Sequence, residues 1–264
     1  MLKINGLSKT FELGSINEKL AVNNVNLTLK AGEFVTVIGG NGAGKSTLLN
    51  CIAGVYEPDQ GSILLDSMDI TFWPEYKRSQ YIGRVFQDPL KGTAFDMTIE
   101  QNLAMAYAKG KPLGLQWGVR KADAAMFRQR LARLELGLEG RLKQKIGLLS
   151  GGQRQAITML MATIVEPKLL LLDEHIAALD PSAAKHVLRL TRELVEQHQL
   201  CTLMVTHNMK NALEYGTRTI MMHDGSIILD IAGEERSDMT VEKLIDLFGR
   251  RSGQQLDNDR LLLG

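Results

Sequence analysis

Residues 33–54, EFVTVIGGNGAGKSTLLNCIAG, decide how the rest of this chain is read. The first part, EFVTVIGG, is a short apolar run with β-branched residues that stops in two glycines, and KSTLLNCIAGV after it spaces its apolar residues as a helix does. That is strand, glycine loop, helix. Outward from this unit, further strand-like runs follow at SILLD (62–66), YIGRVF (81–86), LLLLD (169–173), CTLMVT (201–206), TIMMH (219–223) and SIILD (226–230). Several are separated by helical patterns, and such alternation predicts a largely parallel α/β sheet. Near the start, LKINGLSKTF and AVNNVNLTL interleave polar and apolar residues, the pattern of half-exposed antiparallel strands forming an added edge sheet.

The middle of the chain differs. From about Thr98 to Val165, in TIEQNLAMAYA, KADAAMFRQRLARLEL and GQRQAITMLMATIV, helical spacing dominates with no strand between. The expected organisation is one domain over 1–249, with an α/β core at 1–87 and 166–235 and a helical insertion at about 88–165. A polar, turn-rich tail, GRRSGQQLDNDR, follows from about Gly249, so 250–264 reads as a loosely held end. Each motif below occurs once, which argues against an internal repeat.

Composition narrows the function classes. With 31 Lys+Arg against 30 Asp+Glu the net charge is +1, without the excess expected of a protein that grips a phosphate backbone, so no nucleic acid partner is expected. The longest aliphatic run, Leu169 to Leu172, is far short of the roughly 20 residues that span a bilayer. The start, MLKINGLSKT, lacks a secretory signal pattern, which makes the cytosol the expected compartment. Cys51 and Cys201 lie in apolar segments without a CxxC pair or clustered histidines and read as buried free thiols.

Within GGNGAGKST, Gly39, Gly44, Lys45 and Ser46 satisfy G-x4-G-K-[ST]. Glycines let backbone N–H groups fold around phosphate oxygens, with Asn41, Gly42, Ala43 and Thr47 completing the loop. Lys45 supplies charge at the β and γ phosphates, Ser46 offers a hydroxyl to Mg2+, and the helix N-terminus adds partial positive charge. A second acidic site fits this one, since LLLLDEH ends an apolar strand in Asp173 and Glu174 at the C-terminal edge of the sheet, where open α/β sheets bind ligands. Asp173 can hold Mg2+ through its water shell, and Glu174 can polarise an attacking water.

LLSGGQRQ (148–155) admits two compatible readings. Ser150 and Gln153 have the spacing of a helix capping box. That leaves Gly151 and Gly152 unexplained, since both are poor helix formers yet allow a phosphate close to backbone amides. This helix start is therefore a candidate second phosphate-facing surface, distinct from the P-loop surface within one compact chain.

GGNGAGKST, VFQDP, LSGGQ, LLLLDEH, AALD and VTHN occur in the order and spacing of the ATPase subunits of ATP-binding cassette (ABC) transporters, and this resemblance covers roughly residues 1–235. It implies the P-loop NTPase core of an ABC ATPase, and a head-to-tail dimer in which two ATP molecules lie between the P-loop of one subunit and the LSGGQ of the other. Phe11 resembles the aromatic that stacks on adenine, its alternative being a core position. Gln87 resembles the glutamine that reaches Mg2+ and senses the membrane partner. Asp180 resembles the aspartate that crosses the dimer, while DPSA also suits a helix N-cap. His207 resembles the switch histidine on the γ-phosphate, so the catalytic set is Glu174, His207, Lys45 and Gln87. His175, His186, His198 and His223 read as structural or solvated. Gly40 stands where many relatives have Pro or Ser, and AALD replaces SALD; neither change removes a catalytic side chain.

The resemblance also implies ATP hydrolysis that drives separate permease chains, with the chain held peripherally at the cytoplasmic face of the cell membrane. DPLKGTAFDMT, after Gln87, is where such a permease docks. PEYKRSQYIGRVFQDP, DEHIAALDP and THNMKNALEYG further resemble bacterial importers served by an extracytoplasmic solute-binding protein, some associated with aromatic amino acids. The alternatives are an exporter or lipoprotein-extraction ATPase and a cytosolic scaffold ATPase of Fe–S assembly. The segment YAKGKPLGLQWGVRK, with Lys109, Lys111, Arg120, Lys121 and Trp117, admits both a contact with permease or lipid head groups and a solvated loop.

Overall fold

The computed structural model describes residues 1–109 and 119–252. Among these residues the strands are β1 (Leu2–Phe11), β2 (Lys19–Leu29), β3 (Phe34–Ile38), β4 (Gln60–Leu65), β5 (Met68–Asp69), β6 (Ile82–Val85), β7 (Leu169–Asp173), β8 (Cys201–Val205), β9 (Arg218–His223) and β10 (Ser226–Ala232). They form two sheets, a four-stranded one in the order β2-β1-β4-β5 and a six-stranded one in the order β10-β9-β3-β8-β7-β6. In the larger sheet β6, β7, β8, β3 and β9 run parallel. All five residues of β3 are buried, as are Leu169–Leu172 of β7, because a central parallel strand is covered on both faces. β1 and β2 instead carry exposed residues among buried ones, as an edge sheet with one wet face does.

Two strands depart from the parallel alternation that the sequence suggested. β4, from SILLD, pairs antiparallel with β1 in the smaller sheet. β10, from SIILD, pairs antiparallel with β9, because only Asp224 and Gly225 separate them. Both residues have positive φ, 43° and 76°, the backbone of a two-residue hairpin turn, and so short a link cannot carry a parallel crossover.

The helices are α1 (Lys45–Ala53), α2 (Glu75–Arg78), α3 (Ile99–Tyr107), α4 (Lys121–Ala132), α5 (Gly151–Thr163), α6 (Pro181–His198), α7 (Met209–Tyr215), α8 (Gly233–Ser237) and α9 (Val241–Ser252). The insertion packs its own apolar cluster, in which Leu103 of α3, Phe127 and Leu131 of α4 and Ile157 and Leu160 of α5 meet, joined by Leu190 of α6. The helix α9 continues through Gly249 to Ser252, past the point where the sequence suggested a turn-rich tail. Its last turn is held by the Arg250–Asp246 pair and by Ser252 Oγ donating to the Phe248 carbonyl. The rest of the tail, and residues 110–118 of the candidate membrane-contact segment, lie outside the described residues. Among the described residues no helix is long and apolar enough to cross a membrane.

Candidate functional site

β3 runs into the glycine loop and the loop into α1, which begins at Lys45. Gly39 and Gly44 are fixed by their surroundings: both have positive φ, and a Cβ would strike the Met222 carbonyl at Gly39 and the Ala21 carbonyl at Gly44. The loop lines a cleft of about 270 Å³ through residues 41–47. Phe11 closes one side of it, packed edge-on against Tyr56 with ring centroids 5.1 Å apart. Lys45 is 5% exposed, and its Nζ donates to the Gly39 and Gly40 carbonyls at 2.9 Å each. Burial pulls the Lys45 ammonium below the usual lysine range, against the opposing charges of Glu174 and Asp173.

Those two carboxylates arrive on β7. Asp173 is its last residue, 3.8 Å from the Arg84 guanidinium, and burial outweighs that cation to lift its carboxyl above the usual range. Glu174 adopts positive φ, 45°, while its N–H donates to the Val205 carbonyl at 3.1 Å. The φ value is unusual for a residue with a Cβ and costs of order 1 kcal/mol, maintained by the packed strand ends around it. Its Oε1 lies 2.5 Å from His207 Nε2. His207 follows β8 in the turn into α7, where Thr206 Oγ1 accepts from the Asn208 N–H and the Asn208 side chain caps the helix. Adjacent parallel strands β7 and β8 thus bring Glu174 and His207 to one wall of the glycine-loop cleft.

The LSGGQ segment lies on another surface. Ser150 Oγ accepts from the Gln153 N–H at 3.3 Å and Gln153 Oε1 accepts from the Ser150 N–H at 3.2 Å, so the capping box is complete. Gly152 has a packing reason that the sequence did not reveal: a Cβ there would stand 2.8 Å from the Ala183 Cβ on α6. Gly151 and the exposed Gln87 line a separate cavity of about 200 Å³, so the structure does not place Gln87 in the glycine-loop cleft. Asp180 caps α6, accepting from the Ser182 and Ala183 N–H groups at 3.1 and 3.0 Å.

The remaining histidines have contacts within the chain: His175 with Thr191, His186 with the Leu134 carbonyl, His198 with Glu166 and His223 with Phe248. Cys51 and Cys201 are buried free thiols, each pushed up to about 11 by burial. Sequence reasoning missed Lys19 and Ala21, which also line the cleft. Neither belongs to a motif, and only the strand register that sets Lys19 opposite Phe11 marks it.

A buried lysine on a glycine loop at a helix start, facing two strand-end carboxylates, is equipped to bind a nucleotide polyphosphate. Residues 22–177 match the family described as ABC transporter. The chain belongs to that family. This ABC cassette is 44% identical over 248 residues, 94% of it and 98% of the relative, to the tyrosine transport ATP-binding protein of Clostridioides difficile (strain R20291). It is 34% identical to the phosphonates import ATP-binding protein PhnC of Halobacterium salinarum, over 87% of the cassette and 78% of that relative. Among solved structures, a dimeric ATP-binding cassette in a post-hydrolysis state with ADP and Pi superposes with a TM-score of 0.75 at 28% identity, covering 88% of the cassette and 98% of that chain. The fold is that of an ABC ATPase, and ATP is its nucleotide.

Proposed function

We propose that this cassette is the ATP-hydrolysing subunit of a bacterial importer, working as a head-to-tail pair beneath separate permease chains and moving an amino acid of the aromatic type delivered by an extracytoplasmic binding protein. The observation that carries the solute class is the 44% identity, across nearly the whole of both chains, to a tyrosine transport ATP-binding protein. Glu174 is the base that polarises the attacking water, oriented by its contact with His207. Lys45 holds the polyphosphate with the loop amides, and Phe11 stacks on the base.

The donor set suits Mg2+. Ser46 Oγ, next to Lys45 in the chain, and the Asp173 carboxylate, whose charge acts on Lys45, are hard oxygen donors, and the described residues contain no cluster of three or more His, Cys, Asp or Glu that would build an all-protein cage. An ion held by one or two protein oxygens and the nucleotide phosphates is the usual magnesium arrangement. When bound, it supplies neutralisation of phosphate charge.

The separation of the capped LSGGQ helix from the glycine-loop cleft supports a composite site completed by a second copy, with Ser150, Gly151, Gly152 and Asp180 facing the partner's nucleotide. Gln87 borders the insertion, where Leu90, Phe95, Met97 and Leu148 are exposed, and this apolar strip is the seat for the permease.

A mild-detergent pull-down of the tagged cassette from its native membranes tests this reading, with ATPase activity assayed with and without the recovered complex. A polytopic permease, a solute-binding protein and ATPase stimulation by tyrosine-loaded binding protein support it. A soluble assembly partner without a membrane chain would overturn the transport assignment, and a membrane chain that exports would overturn the direction.

A further inference from the structure

We propose that Lys19 is a nucleotide-binding residue of this cassette, a second ammonium that grips the polyphosphate from the β1–β2 hairpin while Lys45 grips it from the loop; the proposal rests on the nucleotide site above. In the antiparallel pair, Lys19 stands directly opposite Phe11, so one rung of the ladder carries both the aromatic face and the cation into the cleft. The Lys19 Nζ lies 3.4 Å from where a Cβ on Gly42 would be, over the loop whose amides cradle phosphate.

The charges around it leave this ammonium available. Lys9, the other lysine near the Phe11 ring, is neutralised by Asp59 at 2.8 Å. The two acids of the hairpin turn inward, Glu18 accepting from the Gly14 N–H and Glu12 from Ser15 Oγ. Among the described residues Lys19 has no ion-pair partner. A lysine with no anion of its own, at the lip of a cleft floored by N–H donors, has the bound polyphosphate as its natural counter-charge. Its flexible stem reaches from a solvent-facing strand end, so the contact forms when the nucleotide arrives and does not serve the fold.

The test is isothermal titration of the full-length chain and of Lys19→Gln and Lys19→Arg with ATP, ADP and adenosine, at low and high KCl. Lys19→Gln is expected to weaken ATP and ADP about 3- to 5-fold, the upper part of the range for one exposed charge contact, with a shallower salt dependence, and to leave adenosine unchanged. Lys19→Arg, which keeps the charge, is expected to hold ATP within about twofold of the parent. Unchanged ATP affinity in Lys19→Gln would overturn the proposal, and so would equal losses for ATP and adenosine, which would move Lys19 to the ribose or base. A parent chain that binds no ATP would instead overturn the nucleotide site itself.

Discussion

Glu174 is held in an unusual backbone conformation one residue beyond the end of β7, with its carboxylate on His207, and this fixes what a single atom change should do. Glu174→Gln keeps the shape and a hydrogen-bonding group but removes the carboxylate proposed as the base. ATP affinity should stay within a few-fold while turnover falls at least ~100-fold, and a nucleotide-trapped dimer should accumulate, visible by light scattering after gel filtration. A fully active variant would remove Glu174 from the chemistry. His175, the adjacent residue, does a different job. It is 2% exposed, its ring contacts Thr191 Oγ1, and burial lowers its pKa from 6.5 to about 4. Between those values the unfolded chain binds a proton that the folded chain refuses, so stability is full above about pH 6.5 and falls as the pH drops toward 4, by up to roughly 3 kcal/mol. Urea unfolding across this window should show that slope, and His175→Gln should remove it; a parent chain whose stability is flat there would contradict the neutral buried ring.

At the scale of elements, the glycine loop makes the sharpest demand. Gly44 has φ 97°, and a Cβ on it would meet the Ala21 carbonyl of β2 at 2.2 Å, so the loop runs close against the smaller sheet. Gly44→Ala forces both a strained dihedral and a backbone collision. It is expected to cost about 1–3 kcal/mol of stability and to lower ATP affinity more than 10-fold, measured by thermal melting and titration. Retained affinity would mean that the loop tolerates a Cβ where its backbone leaves none. The same loop shows how much of the fold is written in the local sequence. β3, the loop and α1 were legible because periodicity changes from strand to helix at glycines that only one backbone path explains. The pairing of β4 was not, because an apolar run such as SILLD has the same pattern whether its neighbour runs parallel or antiparallel. β10 carried a signal in Asp224–Gly225, the short hairpin turn that a reading by apolar runs passes over. In the site, Lys45, Asp173, Glu174 and His207 were legible as motif members. Lys19 was not, since a lone lysine acquires meaning only when strand register sets it opposite Phe11, and Gly152 carries a packing duty against Ala183 that no local pattern encodes.

Across the whole molecule, the two parts of the candidate machinery line separate cavities, and the proposed transport role needs a third surface through which a permease is engaged. The glycine-loop cleft sits at the carboxyl ends of the parallel strands, whereas the insertion carries its capped helix start and its exposed apolar strip on other surfaces. That strip is built from backbone pairings within the insertion. The Gly147 N–H donates to the Phe95 carbonyl and the Ile146 N–H to the Met97 carbonyl, so Phe95, Met97 and Leu148 are presented together, with Leu148 73% exposed. Large apolar groups left in water cost free energy that a docked partner recovers, at about 25 cal/mol per Å² covered. Leu148→Asp places a charge on this strip at a side chain that is 73% exposed, and it should leave ATP binding by the glycine-loop cleft of the isolated chain intact. In the native complex it should strip the permease from the pull-down and abolish stimulation of the ATPase by loaded binding protein. If Leu148→Asp still co-purifies with the permease at parental yield, the docking surface lies elsewhere on the cassette, and the coupling route must be sought along the cavity that Gln87 shares with Gly151.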